Sequence, residues 1–136
     1  MAIESFIGTW KLIPEVTKYN MGQPPQKGQY LISMQGEKIH LDVSWTDHQG
    51  QDFQLDFGLI PDGTAQPFAD TKLADSMRMS MDGDQVLESW SSKNGHELVH
   101  VRRTLNEAGD QMEVIQDFNM PDGPKVKNIS TYQLDS

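Results

Sequence analysis

Apolar and polar residues alternate along most of the chain, and turn residues divide the alternation into short segments. The clearest apolar stripes are formed by Ile39, Leu41, Val43 and Trp45, by Phe53, Leu55, Phe57 and Leu59, by Met77, Met79 and Met81, and by Met112, Val114 and Phe118. A period of two is typical of a β-strand with one buried face, because successive side chains point to opposite sides. The pattern therefore predicts β-strands.

Turn dipeptides separate these segments at fairly regular spacing. Those most typical of hairpins are Asp62-Gly63, Asp82-Gly83, Asn94-Gly95 and Asp122-Gly123. They delimit about nine or ten segments of roughly 6–10 residues, which is the spacing expected of a β-meander. An open sheet of that many strands leaves unpaired edges, so closure is favoured. The sequence predicts an all-β, up-and-down antiparallel β-barrel of about 8–10 strands, with a two-sheet sandwich as the alternative.

Residues 13 to 29 interrupt the alternation. Pro14, Pro24, Pro25 and two glycines fall within this stretch. Proline removes a backbone donor and restricts its own conformation and that of the preceding residue, so it interrupts regular structure. We expect a loop or a very short helix here.

Composition narrows the functional classes. The 136 residues include 11 Lys and Arg against 20 Asp and Glu, which gives a formal net charge of −9. Such a chain repels phosphate backbones, so we expect no nucleic-acid partner. It has no cysteine, no basic leader-like start and no apolar run of the ~20 residues that a membrane span needs. We expect one cytoplasmic domain over residues 1–136 that does not insert into membranes.

The segment Phe6-Ile7-Gly8-Thr9-Trp10-Lys11-Leu12 resembles the opening strand of the calycins, the superfamily of lipocalins and intracellular fatty-acid-binding proteins. Further matches follow in order at Phe57-Gly58, Asp62-Gly63-Thr64, Ala69-Asp70, Met81-Asp82-Gly83, Trp90, Asn94-Gly95-His96-Glu97, Arg102-Arg103 and Thr131-Tyr132. The resemblance spans almost the whole chain. It implies a barrel that binds a small hydrophobic, lipid-like ligand with no cofactor and no covalent step. Residues 13 to 29 are too short for the helical lid of that family.

The resemblance also implies a site for the ligand's polar head. The family holds a carboxylate with an Arg-x-Tyr triplet on the last strand, but Ser130 precedes Thr131 and Tyr132 here, so one guanidinium is missing. The arginine of the earlier strand is Arg103 or Arg102, and we favour an inward Arg103 because its face is more apolar. The predicted ligand-binding residues are Arg103, Arg102, Tyr132, Ser130 and Gln116 for the polar head, and Phe57, Met77 and Met79 for the apolar wall.

A second pattern predicts different chemistry. His96, Glu97 and His100 spell His-Glu-x-x-His, in which two histidines bind zinc and the glutamate acts as base. This chemistry needs a helix, because residues four apart on a strand are separated by ~13 Å. The Asn94-Gly95 dipeptide immediately before it is typical of a hairpin and favours a strand. A zinc-dependent hydrolase is therefore the alternative function.

A third possibility is a barrel with a solid interior. Such a protein would act through its surface or through dimer contacts, and it would take up no ligand. The residues that line a ligand cavity and those that fill a core are of the same types, so alternation does not distinguish these cases. The oligomeric state is not predicted by the sequence.

Overall fold

The alternating segments are β-strands in the computed structural model, which describes residues 2–14, 17–19, 24–67, 74–119 and 125–135. The strands are β1 (Gly8–Leu12), β2 (Lys18–Tyr19), β3 (Lys27–Gln35), β4 (Lys38–Thr46), β5 (Asp52–Leu59), β6 (Gln66–Pro67), β7 (Ser76–Asp82), β8 (Val86–Lys93), β9 (His96–Leu105), β10 (Gln111–Asn119) and β11 (Lys125–Leu134). A short 3-10 helix, Ala2–Phe6, precedes β1. In the part of the chain described, no helix has the length and apolar character that crossing a membrane requires.

The strands form one antiparallel sheet rather than two. Its order is β5-β4-β3-β1-β11-β10-β9-β8-β7-β6, so neighbours in the chain are mostly neighbours in the sheet. Ten strands curl into a nearly closed barrel, which confirms the all-β, up-and-down prediction and excludes the sandwich. The Asp122-Gly123 turn and the Ala69-Asp70 match lie outside the described residues.

The barrel is least regular between β5 and β7, where the connecting loop supplies the contacts. Asp62 forms an isolated antiparallel bridge with Ser80, and the Gly63 N–H donates to the Met79 carbonyl at 2.8 Å. The Thr64 hydroxyl and backbone N–H both donate to Asp62 and hold the pKa of that carboxyl below its usual value of 3.8. The loop therefore partly closes a gap that no full strand pair spans.

A side-chain amide extends this closure. The Ile60 N–H donates to Gln66 Oε1 at 2.9 Å, and Gln66 Nε2 donates to the Ile60 carbonyl at 2.8 Å. Gln66 thus satisfies both backbone groups of Ile60, as a neighbouring strand would.

One end of the barrel is packed solid. The side chains that are at most 2% exposed include Phe6, Trp10, Ile32, Ile39, Leu41, Leu59, Met79, Leu87, Met112 and Val114. Most of them lie where β3, β5 and β9 end and where β4, β8 and β10 begin, which in an antiparallel sheet is one end. The indole N–H of Trp10 donates to the Phe6 carbonyl at 3.0 Å, which fixes the plug. We call this half of the barrel the closed end.

The prediction of a loop or a very short helix over residues 13 to 29 is partly wrong. Lys18 and Tyr19 form β2, which pairs with Ile129 and Asn128 of β11. This pairing is available because β1 ends at Leu12 and leaves the next part of β11 without a neighbour. The strand β3 begins at Lys27, two residues earlier than the predicted end of the loop. Residues 15, 16 and 20–23 lie outside the description.

Candidate functional site

A cavity of about 230 Å³ lies inside the barrel, toward the end opposite the closed end. It is enclosed by the inner faces of β3, β4, β10 and β11 and by Pro25. The apolar wall is formed by Pro25, Tyr30, Val43 and Trp45. Tyr30 and Tyr132 meet edge to face, with ring centroids 5.0 Å apart. The cavity is therefore an amphipathic space, because the wall on β10 and β11 carries polar side chains beside the apolar Val114 and Phe118.

The polar side chains of the second wall belong to β10 and β11. Gln116 and Asn128 are direct partners in the β10–β11 pair, and Ser130 and Tyr132 follow along β11. Ser130 and Asn128 are buried at 4% and 8% exposure. Within the described part of the chain, the side chains of Gln116 and Ser130 form no hydrogen bond with other residues. Two polar groups on this wall are thus available to an occupant of the cavity.

The rim of the cavity is aromatic. Trp45 lies directly opposite Phe53 across the β4–β5 pair, and the two rings stack with centroids 5.5 Å apart. Phe53 is 43% exposed although it continues the inner face of β5. An inward apolar side chain is exposed here because the described residues do not cover this end of the barrel completely. We call this end the mouth.

Arg103 lies inside the barrel beside the cavity. It is 3% exposed, and it is paired with Val114 of β10, which lines the cavity. The Arg103 Nη1 donates to Ser89 Oγ at 3.0 Å, and its Cζ lies 5.4 Å from the centroid of the Tyr30 ring. The inward orientation favoured from the sequence is confirmed. Arg103 does not itself line the cavity but contacts it through Tyr30.

Arg103 is also electrostatically isolated. Its Nε has no hydrogen-bond partner, and it is the only charged side chain classed as buried among the described residues. The ion pairs found in those residues involve Arg78, His100 and Lys127, all outside the core. Removing a guanidinium from water is costly unless an anion or several acceptors compensate it. Among the residues that the structure describes, this interior positive charge has one neutral acceptor, Ser89.

The other predicted site residues fall in two groups. Arg102 is exposed on the outer face of β9, so it does not reach the cavity. Met77 and Met79 are buried in the packed core, and Phe57 packs against it. These three side chains face inward as predicted, but they do not line the cavity. The alternation specifies the face of a strand and not the height of a residue along the barrel.

Sequence reasoning missed the apolar wall on β3. Tyr30 lines the cavity, contacts Arg103 and packs on Tyr132. The signal was present, since Tyr30 and Ile32 are spaced by two residues and both are buried. The apolar Leu31, which lies between Tyr30 and Ile32 and is exposed, obscured a stripe of period two.

The zinc alternative requires a helix at residues 96–100, and this prediction is wrong because the segment is a strand. His96 and His100 both lie on β9, and the preceding Asn94 and Gly95 adopt left-handed conformations, with φ of 53° and 80°, that form a hairpin turn. A strand separates residues four apart by ~13 Å, so the two imidazoles cannot share one zinc ion. Among the described residues, no group of three His, Cys, Asp or Glu side chains is arranged to hold a metal.

His100 has a structural place on the outside of the barrel. Its Nε2 lies 2.6 Å from Glu88 Oε2, and its ring stacks on Trp90 with centroids 5.1 Å apart. The Arg78 guanidinium covers the same indole at 3.9 Å. These contacts join β7, β8 and β9 across their outer faces, in the manner of cross-strand pairs that stabilise a sheet.

Comparison with solved structures identifies the fold. A fatty-acid-binding protein of Schistosoma mansoni, in complex with arachidonic acid, is similar with a TM-score of 0.64 and 12% identity over 100% of both chains. An apo lipid-binding protein of Caenorhabditis elegans gives 0.62 and 13%, covering 98% of this chain and 97% of its own. The zebrafish ileal bile acid-binding protein, complexed with cholic acid, gives 0.56 and 12%, covering 96% and 98%.

No family model matches the chain, and no curated protein matches it significantly in sequence. The low identities show the fold alone. The chain therefore has the calycin fold in the form seen in fatty-acid-binding proteins, and the predicted resemblance is confirmed at that level. The structurally similar proteins are named for binding fatty acids, bile acids or lipids.

Proposed function

We propose that this protein binds a small lipid-like molecule in the barrel cavity and carries it in the cytoplasm without a covalent step. The observation that carries the proposal is the amphipathic cavity, which has an apolar wall on β3 and β4 and a mixed wall of polar and apolar side chains on β10 and β11. Most ligand sites are concave and apolar with a few convergent polar groups. The structurally similar proteins that hold arachidonic acid and cholic acid support the same class of ligand.

The ligand's polar head binds at the inner end of the cavity. Arg103 supplies positive potential there, and Tyr132, Ser130 and Gln116 supply hydrogen-bonding groups. An anionic head is favoured, because no carboxylate of the described residues forms an ion pair with Arg103. Attraction between opposite charges is strong where water is excluded.

The test is binding of the fluorescent probe anilinonaphthalene sulfonate, an apolar anion, to two matched variants. Val43 lines the cavity, and the neighbouring Ser44 points to the other face of β4. We expect Val43→Phe to weaken probe binding at least tenfold, because the added ring occupies the cavity. Ser44→Phe adds the same ring outside and leaves binding unchanged.

Two outcomes contradict the proposal. If Val43→Phe binds the probe as the wild type does, the ligand site is not this cavity. If the wild type takes up neither the probe nor an organic adduct detectable by native mass spectrometry, the protein is a solid barrel that acts through its surface or as a dimer. The same mass spectrum would detect a dimer directly.

A further inference from the structure

The cavity is too small and too polar on one side for an unsubstituted long alkyl chain. Building on the function proposed above, we propose that its ligand is a short amphiphile with two polar groups. An anionic group lies nearest Arg103, and a second hydrogen-bonding group lies about 7 Å closer to the mouth, beside Gln116. The class is a medium-chain carboxylate, or a similar anion, that carries a hydroxyl or carbonyl group.

The volume of the cavity limits the size of the ligand. The cavity of about 230 Å³ is below the ~300–1,000 Å³ of sites that enclose drug-sized ligands. Below it lie Met112, Ile32 and Trp10, each with 0% exposure. A longer ligand would have to displace these side chains, and close-packed cores resist insertion of even a few methylene groups. Length beyond the cavity must therefore protrude through the mouth.

The register of β9, β10 and β11 separates the polar groups of the cavity. Arg103 pairs with Val114, which in turn pairs with Ser130, so these residues lie side by side across the sheet. Gln116 and its partner Asn128 are two residues closer to the mouth. Two residues of a strand rise about 7 Å. The polar groups of the cavity are thus arranged at separate heights rather than gathered at one head-group site.

The Gln116 amide, which lies nearer the mouth, requires a hydrogen-bonding partner. The Gln116 side chain has no hydrogen bond with another described residue, and it lines the cavity. An alkyl chain that displaced water from this amide would leave its donors and acceptor unpaired, which opposes binding. A hydroxyl or carbonyl group at this height would pair with it, because an amide both donates and accepts.

The buried charge of Arg103 determines the orientation of the ligand. The only charge classed as buried among the described residues is Arg103, whose Nε lacks a partner. The inner end of the cavity therefore attracts an anion, and the neutral amide of Gln116 does not compete for it. The anionic group points inward, and the second polar group points toward the mouth.

The test is isothermal titration of octanoate, 6-hydroxyoctanoate and hexadecanoate into the wild type and two Gln→Leu variants. We expect the wild type to bind 6-hydroxyoctanoate about tenfold more tightly than octanoate, and hexadecanoate no more tightly than octanoate. In Gln116→Leu the preference for the hydroxylated ligand disappears while octanoate still binds. Gln35→Leu makes the same change at an exposed position on β3 and keeps the preference.

Each of the other possible results overturns one part of the proposal. Equal wild-type affinity for octanoate and 6-hydroxyoctanoate, or an unchanged preference in Gln116→Leu, removes the second polar group from the ligand class. Tighter binding of hexadecanoate than of octanoate removes the limit on length. In both cases the proposed binding function stands. If the three ligands and the fluorescent probe all fail to bind, that function fails as well.

Discussion

A buried arginine without a carboxylate partner is an unusual component of a protein core. Arg103 is held by one hydrogen bond to Ser89 and by the face of Tyr30. Replacing a buried polar pair by apolar groups of similar shape is often neutral or stabilising, since the desolvation penalty disappears. An arginine that serves only the fold would be a poor choice here. Its position beside the cavity is the one that the proposed role in binding an anionic ligand requires, at the expense of stability.

This leads to a prediction for the double variant Arg103→Met with Ser89→Ala, which removes both hydrogen-bonding partners together. We expect its free energy of unfolding in urea to equal or exceed that of the wild type by up to about 2 kcal/mol. Binding of the anionic fluorescent probe should weaken about tenfold, because Arg103 carries the one charge classed as buried among the described residues. A large loss of stability with unchanged probe binding would instead assign Arg103 a structural role.

The strand β9 contains a sequence motif that is typical of a helix, but its turn and its strand pairing determine an extended conformation. His96, Glu97 and His100 match a helical zinc pattern, yet the residues around them form a hairpin. The turn at Asn94 and Gly95 requires left-handed backbone at both positions. Asn and Gly adopt that conformation with little strain, and its twist matches that of paired strands. Pairing with β8 and β10 on both sides then fixes the extended conformation.

The turn therefore predicts a specific stability pattern. Asn94→Ala should lower the free energy of unfolding by about 1 kcal/mol, because alanine adopts the left-handed region at a cost of roughly 1–2 kcal/mol. Asn94→Gly should remain within about 0.5 kcal/mol of the wild type, since glycine has no such penalty. Urea denaturation of both variants measures the difference. Equal stability of all three proteins would contradict the assigned turn geometry.

At the scale of the whole molecule, the ten-strand barrel is closed by a loop rather than by a strand pair. The contacts across the gap come from Asp62, Gly63 and the Gln66 amide. A few isolated hydrogen bonds open more readily than a continuous ladder. This side of the barrel is consequently the place where the wall opens with least loss of contacts.

Replacement of Gln66 tests that conclusion. Gln66→Leu removes the donor and the acceptor that bracket Ile60, and we expect a loss of about 1–2 kcal/mol of stability. Hydrogen exchange at the Ile60 and Gly63 amides should accelerate more than exchange at amides of β10. The matched change Gln35→Leu, at an exposed end of β3, should alter neither. Uniform acceleration of exchange across the sheet would show that the contacts across the gap do not open independently of the other strands.

The sequence by itself determined the strands with clear alternation, several of the turns between them and the side of those strands that faces inward. Period-two alternation and turn dipeptides are local, so they predicted β4, β5, β7 and β10 and the all-β barrel. The inward Arg103 followed from the apolar character of its face. These features depend on a residue and its near neighbours along the chain.

The tertiary structure alone decided which inward residues fill the core and which line a cavity. Phe57, Met77 and Met79 belong to the core, while Tyr30 and Gln116 line the cavity, although all five face inward. Their height along the barrel depends on the register between strands distant in sequence, and no local pattern encodes it. The short β2 depends likewise on an edge of β11 that exists only after the barrel has formed. The site is therefore a property of strand register, whereas the fold is largely a property of local pattern.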